Sequence, residues 1–537
     1  MKIQIFKIAA VAVAFAVALA CGKDDITEIE AGTSSTDTSQ DNIDNESFDR
    51  TVYVTYSSSG NATVTGTTDN LAITISGNGV TIVNNSSDKV QYELSGSTSN
   101  GFLKIYSLKK QALYLKGVSI TNPSGAAINI QGSSDSLSKA KRTYVVLSGS
   151  NSVADGSSYT ATPSNEDEKA AIFSEGVIVF SGSGSLAVSA TGKSGIASDD
   201  YLHFVSGTVT VNMTSAAKVL SGDTLKPACL KGKEDFIVSG GTITLTSSGA
   251  GAKGISGDGT ASFAGGTVTV NVTGSNFGSS NSGGGMGPGG GGSSSSGVSA
   301  KGIKFDGGIA FSGSTVTVSA SSHEAIESKG ALSVTGGVVY AYSASDDAIN
   351  STGDMTVSSG YLGAYSTSND AMDANGDMYI DGGVVFAIST AGGAEVAMDA
   401  NTEGGKQLYV QGGTLVAIGG LEQGASLSQS CYQASSASSN TWYAITVGSS
   451  TFAFKTPSLS SNGGGMGPGG GGGGGSSAII VSGSSQPSLK SGVSVSGGTN
   501  YFNSTLNVGG TYSGGSTVSL NSYSGGNSGG MGPRDHN

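Results

Sequence analysis

The strongest chemical signal in this sequence is a set of regularly spaced carboxylates. Lys301, Glu324, Asp347 and Asp370 follow one another at intervals of 23 residues. Lys304, Glu327, Asn350 and Asp373 repeat that interval three positions further on. Asp354 and Asp377 make a third series, and Asp346 and Asn369 precede the first. If each interval is one coil of stacked strands, equivalent residues lie about 4.8 Å apart. Two carboxylates that close repel by roughly 3 kcal/mol at an effective dielectric near 20. A hard cation answers this, and Ca²⁺ takes about six to eight oxygen ligands from carboxylates, amide carbonyls and water. Asp346, Asp347, Asn350, Asn369, Asp370 and Asp373 offer such oxygens from two adjacent coils. Glu324 and Glu327 offer a second position one coil back. The set lacks His and Cys partners, which argues against zinc. The competing reading is a solvated acidic face with Asn and Asp at its corners.

Two further groups lie near the ladder in the same register. Lys301, Lys304 and Lys329 are candidates for a base, or for simple compensation of the acids. A lysine stacked on carboxylates has a raised pKa, which makes it a poorer base. Tyr340, Tyr342, Tyr361 and Tyr365 occupy outward strand positions where earlier coils carry Thr. They form either a flat platform for sugar rings or a face covered by a long connection or the C-terminal segment.

The elements that position these residues are read from repetition. SGSTVTVSA at 312, TGGVVYAYS at 335, SSGYLGAYS at 358 and DGGVVFAIS at 381 recur at a spacing of 23. Looser copies begin at Val205, Val238, Phe263 and Val410. Between them recur KAAIFSEG, KGIKFDGG, HEAIESKG, DDAINSTG and NDAMDANG. Each unit is two or three short β-runs with Gly, Asn or Asp at the corners, and helical periodicity is absent. One unit cannot bury its apolar side alone, but stacked units can. The spacing predicts an all-β parallel β-helix of ~23-residue coils. A β-sandwich gives no reason for an unvarying interval. Alternation places Val316, Val339, Leu362 and Val385 inward, with Val318, Ala341, Ala364 and Ala387.

Composition narrows the classes further. The chain has 88 Gly but only 8 Pro, 12% charged residues and a net charge of −13. Gly without a three-residue period excludes collagen, and scarce charge excludes a helical array. An acidic chain repels phosphate, so nucleic acid is not an expected partner. Residues 1–20 read as a signal peptide, with Lys2 and Lys7 before an apolar run. Ala18-Leu19-Ala20-Cys21 resembles a bacterial lipobox, so Cys21 is the expected lipidation site; an ordinary secretory signal is the alternative. Residues 21–50 carry nine acids and two bases in the stretch after Cys21. They read as a flexible, solvated tether. Acids just after the lipidated Cys resemble the surface-export signal of Bacteroidota lipoproteins. The expected location is therefore the outer membrane, facing outward, held through the lipid anchor. Residues 51–420 are the expected β-helix, with a Gly-rich insert at 275–299. Residues 421–537 read as a β cap with a second Gly-rich insert at 463–475. Cys229 and Cys431 read as isolated buried thiols.

The segments YVVLSGSNSVADG at 144, DEKAAIFSEGVIVFSGSGSLAVSA at 167 and ASDDAINSTGDMTVSSG at 344 resemble a family of bacterial secreted carbohydrate-binding proteins. The resemblance covers roughly residues 80–420. It implies a right-handed parallel β-helix with bound calcium, related to family 9 polysaccharide lyases, that takes cellulosic or acidic, pectin-like polysaccharide. The Asp-Asp-x-x-Asp calcium pattern of those lyases is present as Asp346-Asp347-x-x-Asn350 and Asn369-Asp370-x-x-Asp373. Three functions follow from the sequence: a calcium-stabilised carbohydrate-binding protein, a pectate-type lyase, or a surface adhesin without a glycan ligand. The three histidines, His203, His323 and His536, form no metal motif, and no serine stands out as a nucleophile.

Overall fold

The computed structural model describes residues 36–132, 142–160, 166–220, 223–278, 297–391, 395–459 and 478–525. The expected signal peptide, Cys21 and the cores of both Gly-rich inserts lie outside these residues.

Each coil lays down three strands, as in Ile303–Phe305, Ile309–Phe311 and Thr315–Ala320. The next coil repeats them at Ile326–Ser328, Leu332–Val334 and Val338–Ser343. Equivalent strands pair in parallel, Ile303 with Ile326 and Val316 with Val339, so three parallel sheets run the length of a β-helix. The first sheet contains the short strand that follows each long one, and its register links Lys304, Glu327, Asn350, Asp373 and Asp399. The 23-residue interval holds from Ile303 to Met372, then widens to place Met398 on Met372.

The interior follows from alternation. Val316, Val339, Leu362 and Val385 are 0% exposed, and Val318, Ala341, Ala364 and Ala387 are equally buried. Under the second sheet, Phe rings stack between coils, Phe180 on Phe204 at 5.0 Å and Phe263 on Phe311 at 4.9 Å. Glycine is required where the second sheet turns into the third. Gly337, Gly360 and Gly383 have φ of +79°, +80° and +73°. A Cβ at Gly337 would sit 2.4 Å from the Ser314 carbonyl of the coil before. Only glycine meets both demands.

Both ends of the helix are closed by antiparallel pairing. At the start, Thr63–Gly66 pairs with Arg50–Tyr56, and Leu71–Ser76 pairs with Asn78–Asn84. At the far end, Ile479–Ser482 lies antiparallel between Thr414–Ile418 and Cys431–Ala434. A six-stranded antiparallel sheet formed from Trp442 to Val518 then covers the outside of the third sheet. Cys229 and Cys431 are buried free thiols.

One sequence expectation is corrected here. The acidic stretch up to Asp49 does not remain a solvated tether over residues 36–49. Asp41 is 4% exposed, ion-paired with Arg142, and in hydrogen-bond contact with Tyr201 and His203. Ile43 and Phe48 pack against the outer face of the second sheet, around Tyr144 and Val179. The acidic count concealed two apolar residues and a cluster of polar partners waiting on the β-helix.

Candidate functional site

The outer face of the first sheet changes character along its length. Its outward column runs Lys231, Ser256, Lys304, Glu327, Asn350, Asp373 and Asp399. Around the first members is a cavity of about 310 Å³, lined by Lys226, Lys231, Lys253, Lys301, Lys304 and Lys329, with Asp258, Asp306 and Glu327. Beyond Glu327 the same column continues as buried Asn350, Asp373 and Asp399, with buried Asp347 and Asp370 beside it.

Serines hold the turns that carry this array. Ser343 Oγ donates to the His323 carbonyl at 2.9 Å and accepts from the Asp346 N–H at 3.0 Å. Ser366 repeats this one coil on, to the Asp346 carbonyl at 2.7 Å and from the Asn369 N–H at 3.0 Å. Ser389 donates to the Asn369 carbonyl at 2.8 Å. A Ser three residues before Asp346 and before Asn369 thus fixes these two corners by a side-chain turn.

Asp347, Asn350, Asp370 and Asp373 are all 3–6% exposed. Asn350 Nδ2 donates to Asp373 at 2.9 Å and to Asp347 at 3.4 Å. Asp347 accepts the Asp370 N–H at 3.1 Å. Burial, followed by Asp373, Asp346 and Asp370, pushes the Asp347 carboxyl well above its usual range. Burial and then Asp399 push Asp370 up to about 9. Such shifts mean that the array is unfavourable when fully ionised and uncompensated. The donors are all oxygen, the chemistry a hard divalent cation selects.

Two residues extend the array beyond what the spacing marked. Asp399 pairs in register with Asp373 and is 4% exposed. Glu422 is 1% exposed and accepts the N–H groups of Ala400 at 2.8 Å and Thr402 at 3.3 Å. Burial, with Asp399 adding to it, pushes Glu422 up to about 7. The interval from Asp373 to Asp399 departs from 23, so counting missed both; the recurrence of Met-Asp-Ala at 372 and 398 was the available signal.

Glu324 and Glu327 belong to a different environment from the one expected. Lys301 Nζ lies 3.0 Å from Glu324 and 2.6 Å from Glu327, and Lys329 lies 2.5 Å from Glu327. Burial alone would raise Glu327, but Lys301 holds its carboxyl below the usual range. The protein's own cations therefore occupy the place proposed for a second ion. Lys301 itself is opposed by burial but lifted by Glu324 and Glu327. Lys304 contacts Asp306.

His323, which belongs to no metal motif in the sequence, is an ion-pair centre. It contacts Glu324 and lies 2.7 Å from Asp346. Burial opposes its charge, but bonds to Asp346 and Glu324 lift it to about 9. Donor atoms of His323, Glu324 and Asp346 lie within 4.8 Å of one another, the tightest such trio among the described residues. Asp347, Asp370 and Asp373 are more spread, joined through Asn350 and backbone. Asp346 also accepts from Asn369 at 3.0 Å.

The tyrosines do not form an open platform. Tyr340 is 7% exposed and stacks on Phe502 at 5.5 Å. Tyr361 stacks on Tyr501 at 5.4 Å, and Tyr342 lies 5.2 Å from Tyr365. The C-terminal sheet covers this face because Val338, Tyr342 and Phe386 make it too apolar to leave in water.

Sequence reasoning also missed Lys253, which belongs to no carboxylate series. Burial, then Lys301 and Lys304, push it down to about 8. That brings it closer to giving up its proton near neutrality than an ordinary lysine.

The outer face of this parallel β-helix thus carries a lysine cavity beside a buried acid array. The protein belongs to the family of carbohydrate-binding domain-containing proteins, whose model matches residues 76–348. A polysaccharide lyase-like protein from C. thermocellum, solved as a gadolinium derivative, is similar at 20% identity. The match covers 58% of this chain and 98% of that one, with a TM-score of 0.38. No curated protein matches the chain.

Proposed function

We propose that the chain binds acidic polysaccharide along the outer face of the first sheet. The observation that carries this reading is the six-lysine cavity placed directly beside the aspartate array. Uronate carboxylates enter the cavity as partners for Lys231, Lys253 and Lys304. Asp347, Asn350, Asp370 and Asp373, with Asp399, hold Ca²⁺. The ion neutralises the array and supplies a positive point for a sugar carboxylate or hydroxyl. Cellulosic chains lack carboxylates and leave the lysines unused, so they bind more weakly. Cys21 carries the lipid that holds the protein at the outer membrane, facing outward, in support of which stands the leader sequence. Palmitate labelling that disappears in Cys21→Ala tests the anchor.

Affinity electrophoresis in gels containing polygalacturonate or a soluble cellulose derivative, with calcium or a chelator, tests the binding. Retardation by polygalacturonate that requires calcium is expected. Equal mobility in all gels contradicts the reading.

A second reading, a polysaccharide lyase, is favoured by one observation. Lys253 titrates near neutrality inside the cavity, as a base removing a proton beside a uronate carboxylate must. Ultraviolet-absorbing unsaturated product, lost in Lys253→Ala, distinguishes lyase from binder.

A further inference from the structure

On the outer face of the second sheet, away from the lysine cavity, three side chains distant in sequence form one continuous chain of bonds. Asp41 comes from the docked N-terminal segment, His203 from the strand Leu202–Phe204, and Ser239 from the turn after Phe236–Val238. Asp41 Oδ2 lies 2.6 Å from His203 Nδ1, and His203 Nε2 lies 2.6 Å from Ser239 Oγ. Asp41 and His203 are each 4% exposed, whereas Ser239 is exposed. A carboxylate only accepts hydrogen bonds, so Nδ1 carries a proton, and in the neutral ring Nε2 presents its lone pair to the serine hydroxyl. Asp41 is itself fixed by Arg142 Nε at 2.7 Å and by the Tyr201 hydroxyl, which donates to it at 2.7 Å. Pinning the N-terminal segment requires only the Asp41 contacts. It gives no reason for the opposite ring nitrogen to meet an exposed hydroxyl. Two glycines follow the serine, and the Gly240 N–H makes only a long 3.3 Å bond to the Phe204 carbonyl. That is the donor position next to a nucleophile.

We propose that Ser239, His203 and Asp41 form a hydrolytic triad that cleaves carboxylic esters, with O-acyl substituents of polysaccharide as the substrate class. The choice of polysaccharide rests on the binding reading above; the triad does not. Ser239 Oγ adds to the ester carbonyl carbon while its proton passes to His203 Nε2. The tetrahedral adduct collapses, the bond to the alkoxy oxygen breaks, and the alcohol leaves with the proton from His203. Water then attacks the acyl-serine, His203 takes the water's proton, and the carboxylic acid departs as Ser239 recovers its hydrogen. Ester and water give acid and alcohol, with no change of oxidation state. Asp41 acts as a positioning residue that holds the tautomer of His203.

The test uses the full chain with a fluorophosphonate probe, mapped by mass spectrometry, alongside hydrolysis of p-nitrophenyl acetate. The sequence is rich in serine, so the position of the label is itself informative. Label concentrated on Ser239 is expected, with at least about a tenfold loss of hydrolysis in Ser239→Ala and His203→Gln. Ser206→Ala, in the equivalent turn one coil earlier, retains both. Asp41→Asn slows the phosphonylation rate of Ser239, a readout that merely loosening the N-terminal segment would not move. If His203→Gln fails to fold, Ser239→Ala decides alone, because an exposed hydroxyl is not needed for packing. Label spread over many serines, or hydrolysis unchanged in Ser239→Ala, overturns the proposal. A protein that labels at Ser239 but binds no polysaccharide keeps the triad and discards only the substrate class.

Discussion

Two outward faces of the same coils meet opposite fates. On the third sheet, Tyr340 and Tyr361 stack on Phe502 and Tyr501 of the C-terminal segment, and Tyr342 packs against Tyr365 beside them. On the first sheet, the column from Lys231 to Asp399 meets no such covering sheet among the described residues and becomes a lysine cavity followed by an acid array. Both faces repeat along the helix with one register, so periodicity alone does not distinguish a packing surface from a site. Solvation does. Aromatic rings gain by burial against more apolar surface. Clustered carboxylates gain only from cations, and among the described residues the protein supplies those as Lys301, Lys329 and His323 up to Asp346, but not around Asp347 and Asp370.

Breaking the covered face has the largest expected effect. Phe502→Ala removes a ring that is 5% exposed and touches Tyr340 and Phe386. It should cost about 3 kcal/mol in denaturant unfolding while leaving polygalacturonate affinity unchanged. Lost affinity at retained stability would return the tyrosines to the binding surface.

On the open face, Asp347→Asn with Asp370→Asn should abolish stabilisation by calcium. For the proposed site, that stabilisation is expected to be about 2.7 kcal/mol in the wild type at a calcium concentration a hundredfold above Kd. Without calcium the same double variant should be more stable than the wild type, because the mutual repulsion is gone. Thermal unfolding with calcium and with chelator reads both effects.

The lysine cavity gives a pH signature. Lys253 titrates at about 8 in the folded chain against 10.5 as its ordinary value. Between those values the unfolded state binds more protons, so stability from this group rises with pH. Below about 8 its buried charge is a standing cost. Lys253→Met should therefore be stabilising at pH 7, and its advantage should shrink as pH climbs from about 8 to 10.5. Urea midpoints across that range check the sign. The smallest expected effect is on the second sheet, where Tyr379 and Tyr409 stack at 5.0 Å. Tyr379→Ala should cost about 1 kcal/mol or less and leave glycan affinity unaltered.

Much of this was legible in the sequence. The constant interval from Ile303 to Met372 gave the coil, its inward Val and Ala columns, and the order of Asp347, Asn350, Asp370 and Asp373. What the interval could not convey is how far a lysine reaches. Lys301 and Lys329 lie in the register beside Glu324 and Glu327, yet their neutralisation of both acids depends on side-chain paths visible only in three dimensions. Lys253 was hidden for a related reason, since its perturbation comes from neighbours on other coils. Asp399 was lost to a widened loop before it, and Asp41 to a composition that reads as tether. His203 and Ser239 stand 36 residues apart, and only the stacking of coils brings them together.

The central claim is that the lysine cavity and the aspartate array act together on acidic polysaccharide. Isothermal titration of polygalacturonate into the calcium-loaded protein tests it most directly, when repeated with chelator and with a Lys253→Ala/Lys304→Ala double variant. The account predicts saturable binding in calcium, weakened at least about tenfold by either change, as loss of a charge-assisted contact requires. Binding of equal affinity under all three conditions would contradict it.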